Sequence, residues 1–140
     1  MKANANDVTK TDDRAAEQGA DVGSMAAPPL APALDLAHLA RMTLGERALE
    51  REVIGLFDRQ ADLLLARMAS GEPRVVAALA HTLAGSASGI GAWKVAEAAA
   101  VVERAASEPD AAVALTGVTD DLAAAVAEVH AAIAELLHAD

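Results

Sequence analysis

Alanine supplies most of an apolar share of 54%, and Phe57 and Trp93 are the only aromatic residues in a chain of 140. Small, unbranched side chains favour helices, whereas sheets draw on β-branched and aromatic residues to cover a pleated surface. That mixture predicts an all-α fold, and the length suits a single domain with one core.

The formal net charge of −10 gives a surface that repels phosphate backbones and anionic headgroups, so neither nucleic acid nor a membrane is an expected partner. Without cysteine there is no disulfide framework and no thiolate chemistry. No signal-peptide core and no uncharged span of membrane length occurs, and the chain reads as soluble and cytoplasmic.

Residues 1–33 mix charges with Gly19, Gly23, Pro28, Pro29 and Pro32 and show no apolar period, the composition of a disordered arm or linker. The domain is expected over 34–140. Asp35 caps a short helix to about Arg41, and Leu49, Val53, Phe57, Ala61, Leu64 and Met68 then mark a long amphipathic helix that Gly71 ends. Pro73 suits a first helical turn, predicting a third helix to Ser88, with Gly89 and Gly91 punctuating its end. A fourth helix from Ala92 to about Ala106 follows so closely that the two must form a hairpin. Ser107 and Asp110 offer caps for the last helix, whose stripe runs Leu115, Val118, Leu122, Val126, Val129, Ile133, Leu136. The pattern predicts an antiparallel up-and-down four-helix bundle with an additional short N-terminal helix.

At about 100° per residue, Val76, Leu79, Leu83 and Ile90 share one side of the third helix and His81 lies roughly opposite. Its outer-face neighbours Ala77, Ala78, Ala84, Gly85 and Ser88 are all small, with Arg74 two turns earlier. Gly85 costs about 1 kcal/mol relative to alanine inside a helix, a cost that close approach by another molecule would explain. Glu103 falls near the apolar side of the fourth helix, beside Val95, Ala99 and Ala106, where a carboxylate needs a partner. Two readings stay open: a hydrogen bond to His81 across the hairpin, or a solvated edge residue whose stem covers alanines. In the first, the carboxylate fixes the tautomer and leaves the other ring nitrogen as a nucleophile.

The run His81-Thr82-Leu83-Ala84-Gly85-Ser86-Ala87-Ser88-Gly89-Ile90-Gly91-Ala92 closely resembles the signature of histidine-phosphotransfer domains. His, Leu, Gly, Ser and the Gly-Ala ending fall in register, and the pattern extends from about Leu34 to Leu137. The resemblance implies a four-helix bundle with His81 as the exposed phosphoacceptor, supported by Gly85 and Ser86. Glu103 matches a family position that hydrogen-bonds the inner ring nitrogen. The family usually carries lysine three residues after the histidine, where this chain has Ala84. Arg74 and Lys94 are the candidate substitutes, on a partner surface that would also include Ala77, Ala78, Ala84 and Ser88.

The resemblance implies a phosphocarrier in a phosphorelay, exchanging a phosphoryl group between His81 and aspartates of response-regulator receiver domains, with a sensor or hybrid histidine kinase upstream. No Gly-rich phosphate cradle accompanies it, so an ATP site of its own is not expected, and Mg²⁺ is expected on the receiver. The alternatives are a docking module that binds or inhibits a kinase or receiver without taking phosphate, and the phosphoacceptor domain of a chemotaxis-type kinase. A monomer is expected. His38, His130 and His138 read as ordinary solvated histidines. Asp35 with His38 and Glu135 with His138 have metal-pair spacing, but a bundle site needs further inward carboxylates that the pattern lacks.

Overall fold

The computed structural model describes residues 32–139, so all but the last two residues of the expected disordered arm, 1–33, lie outside the described residues. The described chain forms α1 (Leu36–Met42), α2 (Arg47–Met68), α3 (Pro73–Ile90), α4 (Trp93–Ala106), a single turn α5 (Ala111–Ala114) and α6 (Val118–His138). The fold is all-α, and α2, α3, α4 and α6 make the expected four-helix bundle. Around it, α2 packs on α3 and α6, and α4 packs on the same two, so α3 and α6 sit on one diagonal and α2 and α4 on the other. Among the described residues no helix is long and apolar enough to cross a membrane.

One buried ridge per helix forms the core. Ile54, Phe57, Ala61, Leu64 and Met68 come from α2, Val95, Ala99 and Val102 from α4, and Leu122, Val126, Val129 and Ile133 from α6. On α3 the ridge is Val76, Leu79, Ala80, Leu83, Ala87 and Ile90. Each large aliphatic side chain buried this way contributes about 1.5–3 kcal/mol. Leu49, expected in the α2 stripe, is 40% exposed. The 54–57–61–64–68 ridge extrapolates backwards to position 50, so Leu49 falls off the buried side.

The third helix runs two residues past the expected Ser88 and takes Gly89 inside it. Its stop is Gly91, whose φ of 82° is left-handed, and Ile90 gains a buried position by the extension. The Gly91 N–H donates to the Ser88 carbonyl at 3.3 Å and the Ala92 N–H to that of Ala87 at 2.9 Å, the paired bonds of a Schellman ending. Ala92 and Ala87, both fully buried, meet at its apolar contact, so α4 begins at Trp93.

The last helix also starts later than expected. Ser107 closes α4, with its Oγ donating to the Glu103 carbonyl at 3.0 Å, and Asp110 precedes only the single turn α5. Gly117, with φ 88°, cannot continue a right-handed helix, so α6 starts at Val118. Leu115 and Val118 nonetheless pack against the core.

Short α1 is clipped onto the α3–α4 turn by Asp35. The Asp35 N–H donates to the Gly91 carbonyl at 2.9 Å. One carboxylate oxygen caps α1 by accepting from the His38 N–H at 3.0 Å, and the other accepts from the Trp93 indole N–H at 3.0 Å. These donors, the indole first, hold the Asp35 carboxyl below the usual carboxylate range. The His38 ring lies 4.9 Å from that of Trp93, and Leu34 and Leu39 are buried beneath the clip. His38 is therefore half-buried against an aromatic face rather than solvated.

At Gly91 an added Cβ would sit 3.0 Å from both the Cβ and the carbonyl oxygen of Asp35. Gly91→Ala is expected to cost about 1–3 kcal/mol in urea unfolding, through left-handed strain and this collision, and to alter Trp93 fluorescence as the clip loosens. An unchanged midpoint would show that the turn tolerates a side chain.

Candidate functional site

The buried ridge of α3 fixes what its other side presents. His81 stands opposite that ridge with its side chain 76% exposed. On α4, burial of Ala99, Val102 and Ala106 sets the phase that brings Glu103 to the seam with α3. There the two side chains meet, with His81 Nδ1 3.1 Å from Glu103 Oε2 and 3.3 Å from Oε1.

An ionised carboxylate only accepts hydrogen bonds, so the ring nitrogen facing it must be the donor. The Nδ1–H tautomer follows, and the lone pair then lies on Nε2, which bonds to no described residue. Of the two readings open for Glu103, the geometry favours the paired one, although the carboxylate remains 37% exposed. The pair is a solvent-facing contact that orients the ring with its lone pair outward, rather than a buried ion pair.

Little surrounds the ring. Ala78, Gly85 and Ser88 are exposed, while Ala77 and Ala84 are half-buried with their methyl groups against the edge of the core. A Cβ built at Gly85 meets no heavy atom within 4 Å. Nothing in the described chain requires that glycine, although its cost to the helix is intrinsic.

Two other expected site residues lie elsewhere. Ser86 is five residues past His81, about 140° round the helix. It lines a groove between α2 and α3 with Val53, Leu56, Phe57, Gln60 and Ile90. Lys94 is nine residues before Glu103, about half a turn away in phase. Its Nζ donates to Glu128 Oε1 at 2.7 Å on the α4–α6 seam, so it is not on the His81 face. Arg74 is exposed in the first turn of α3 and shares the His81 side, about 10 Å along the axis. Among the described residues no lysine or arginine bonds to His81 or Glu103.

A second imidazole–carboxylate contact escaped sequence reasoning. His130 on α6 brings Nδ1 to 2.6 Å from Asp58 Oδ1 on α2. The partners are 72 residues apart, and no local spacing couples them. His138 is exposed near the end of α6. No group of three potential metal-ligating side chains occurs among the described residues.

A search of curated proteins and a search of solved structures each gave no match. The family model described as Hpt domain matches residues 46–139, well over half of the chain. That span includes the bundle, His81 and Glu103, and omits α1. The chain belongs to the Hpt domain family, the histidine-phosphotransfer modules of two-component systems.

Proposed function

We propose that this protein is a phosphorelay carrier that moves a phosphoryl group between aspartates of receiver domains by way of His81. The observation that carries this reading is an exposed imidazole held through Nδ1 by Glu103, with Nε2 bonded to no described residue.

In the forward step the Nε2 lone pair attacks the phosphorus of a receiver's aspartyl phosphate. A P–N bond forms, the acyl O–P bond breaks, and the aspartate leaves as a carboxylate. The Nδ1 proton stays on the ring against Glu103, which stabilises the positive charge the ring gains. The reverse sequence loads a second receiver. Because phosphoryl transfer passes through a loose transition state, positioning and charge neutralisation supply most of its catalysis. The Mg²⁺ and its carboxylate ligands come with the receiver, and a sensor or hybrid histidine kinase feeds the relay upstream. The bare face formed by Ala78, Gly85 and Ser88 gives the receiver's active-site loops room to reach Nε2. The chain acts as carrier and substrate, with no ATP chemistry of its own.

Three variants test the reading. His81→Gln removes no core contact, so its stability should stay within about 0.5 kcal/mol of the parent. Its acid-labile label from a panel of phosphorylated receivers should fall by the share that peptide mapping assigns to His81 in the parent. Label on His81→Gln equal to the parent's would remove His81 from the mechanism, and binding without label on either protein would favour a docking module. Gly85→Ala should stabilise the helix by about 0.5–1 kcal/mol while slowing transfer from a receiver, because a methyl group enters the approach path. A stabilised variant with undiminished transfer would show that nothing docks there. Ala84→Lys places a cation one turn from the phosphorylated ring and should lengthen the phosphohistidine half-life. A shortened half-life would count against electrostatic control.

A further inference from the structure

The contact between His130 and Asp58 repeats the arrangement at His81 on the opposite seam of the bundle. His81 projects from α3 towards a carboxylate on α4, and His130 projects from α6 towards one on α2. Since α3 and α6 share one diagonal and α2 and α4 the other, a half-turn about the bundle axis relates the two pairs approximately. Each histidine lies near the middle of its helix. The His130 side chain is 54% exposed and Nε2 bonds to no described residue, whereas Asp58 is 24% exposed and more enclosed than Glu103. Around His130 the exposed neighbours on α6 are Ala123, Ala127, Ala131 and Ala134, none of them large enough to cover the ring.

We propose that His130 is a second phosphoacceptor, taking a phosphoryl group on Nε2 from an activated P–O or P–N donor while Asp58 holds the Nδ1 proton. The reasoning rests on the reading of His81, since the same oriented lone pair is the nucleophile. With acetyl phosphate the Nε2–P bond forms as the acyl O–P bond breaks and acetate leaves. With phosphoramidate the P–N bond breaks and ammonia leaves. In both cases the proton on Nδ1 stays between the ring and Asp58.

The charges facing His130 set it apart from His81. Asp58 bonds to it, and Asp62, one turn further along α2, adds a second negative charge. The hydrogen bond to Asp58, then the charges of Asp58 and Asp62, raise the imidazole's pKa above its ordinary value. A protonated ring has no free lone pair, so labelling should climb as pH rises through that raised value. The same two carboxylates repel an attached phosphate, so phosphoryl-His130 should be shorter-lived than phosphoryl-His81.

The test labels the full chain in two arms, one with phosphoramidate and acetyl phosphate, the other with phosphorylated receiver domains. Peptide mapping under alkaline conditions then reads His81, His130 and His138 separately. His138, exposed and without a carboxylate partner among the described residues, sets the rate for an unassisted imidazole. At a pH above the raised value, where the ring is neutral with or without Asp58, the expected result is labelling of His130 several-fold faster than His138, lost in His130→Gln, slowed in Asp58→Asn, and longer-lived in Asp62→Asn. Label at His130 several-fold faster than at His138 in either arm upholds the proposal, and the arm identifies the source of phosphate. Labelling no faster than at His138 in both arms, or a rate indifferent to Asp58→Asn, overturns it. Because His81 is read in the same digest, loss of label there with His130 still labelled would refute the relay and leave this inference standing.

Discussion

Close approach of α3 and α4 governs the rest of the structure. Ala80 and Ala87 on one helix and Ala99 on the other are fully buried, and side chains this small let the two backbones pack tightly. Across this seam the Glu103 carboxylate meets the His81 ring at 3.1 Å. The alanine-rich composition therefore has a chemical consequence. It sets the distance at which the imidazole is oriented, and it leaves the outer face of α3 almost bare.

The turn between those helices fixes their register. Gly91 reverses the chain in a left-handed conformation, Ala92 seals the turn into the core, and Trp93 starts the return. His81 lies ten residues before Gly91 and Glu103 twelve after it, so a one-residue slip of either helix would swing its side chain about 100° off the seam. Ile90 resists such a slip on α3 and Val95 on α4, since each would leave a buried position.

Much of this was legible in the sequence because helical periodicity reports burial directly. The apolar phase of α3 placed His81 outside, and the phase of α4 put Glu103 near the apolar side while leaving open whether it meets His81 or lies solvated at the edge. What escaped had other physical causes. The end of α3 depended on which of two glycines took the left-handed conformation, and only packing of Ile90 decides that. The start of α6 was hidden because Leu115 and Val118 keep the apolar period across Gly117, where the backbone breaks it. Lys94 looked available to the site by its position in sequence, but its phase on α4 commits it to Glu128. Pairings such as Asp35 with Trp93 and Asp58 with His130 join residues 58 and 72 apart and exist only in three dimensions.

Clipping α1 over the hairpin turn separates two definitions of where this domain begins. Likeness to the family starts at Glu46, whereas burial among the described residues starts at Leu34. A polypeptide trimmed to the former boundary would lose Leu34 and Leu39 from the core, and with them the Asp35 carboxylate that receives the Trp93 indole. Among the described residues the packed core thus extends one helix beyond the span that matches the family. α1 is fastened to the bundle at the bend that keeps His81 in register with Glu103.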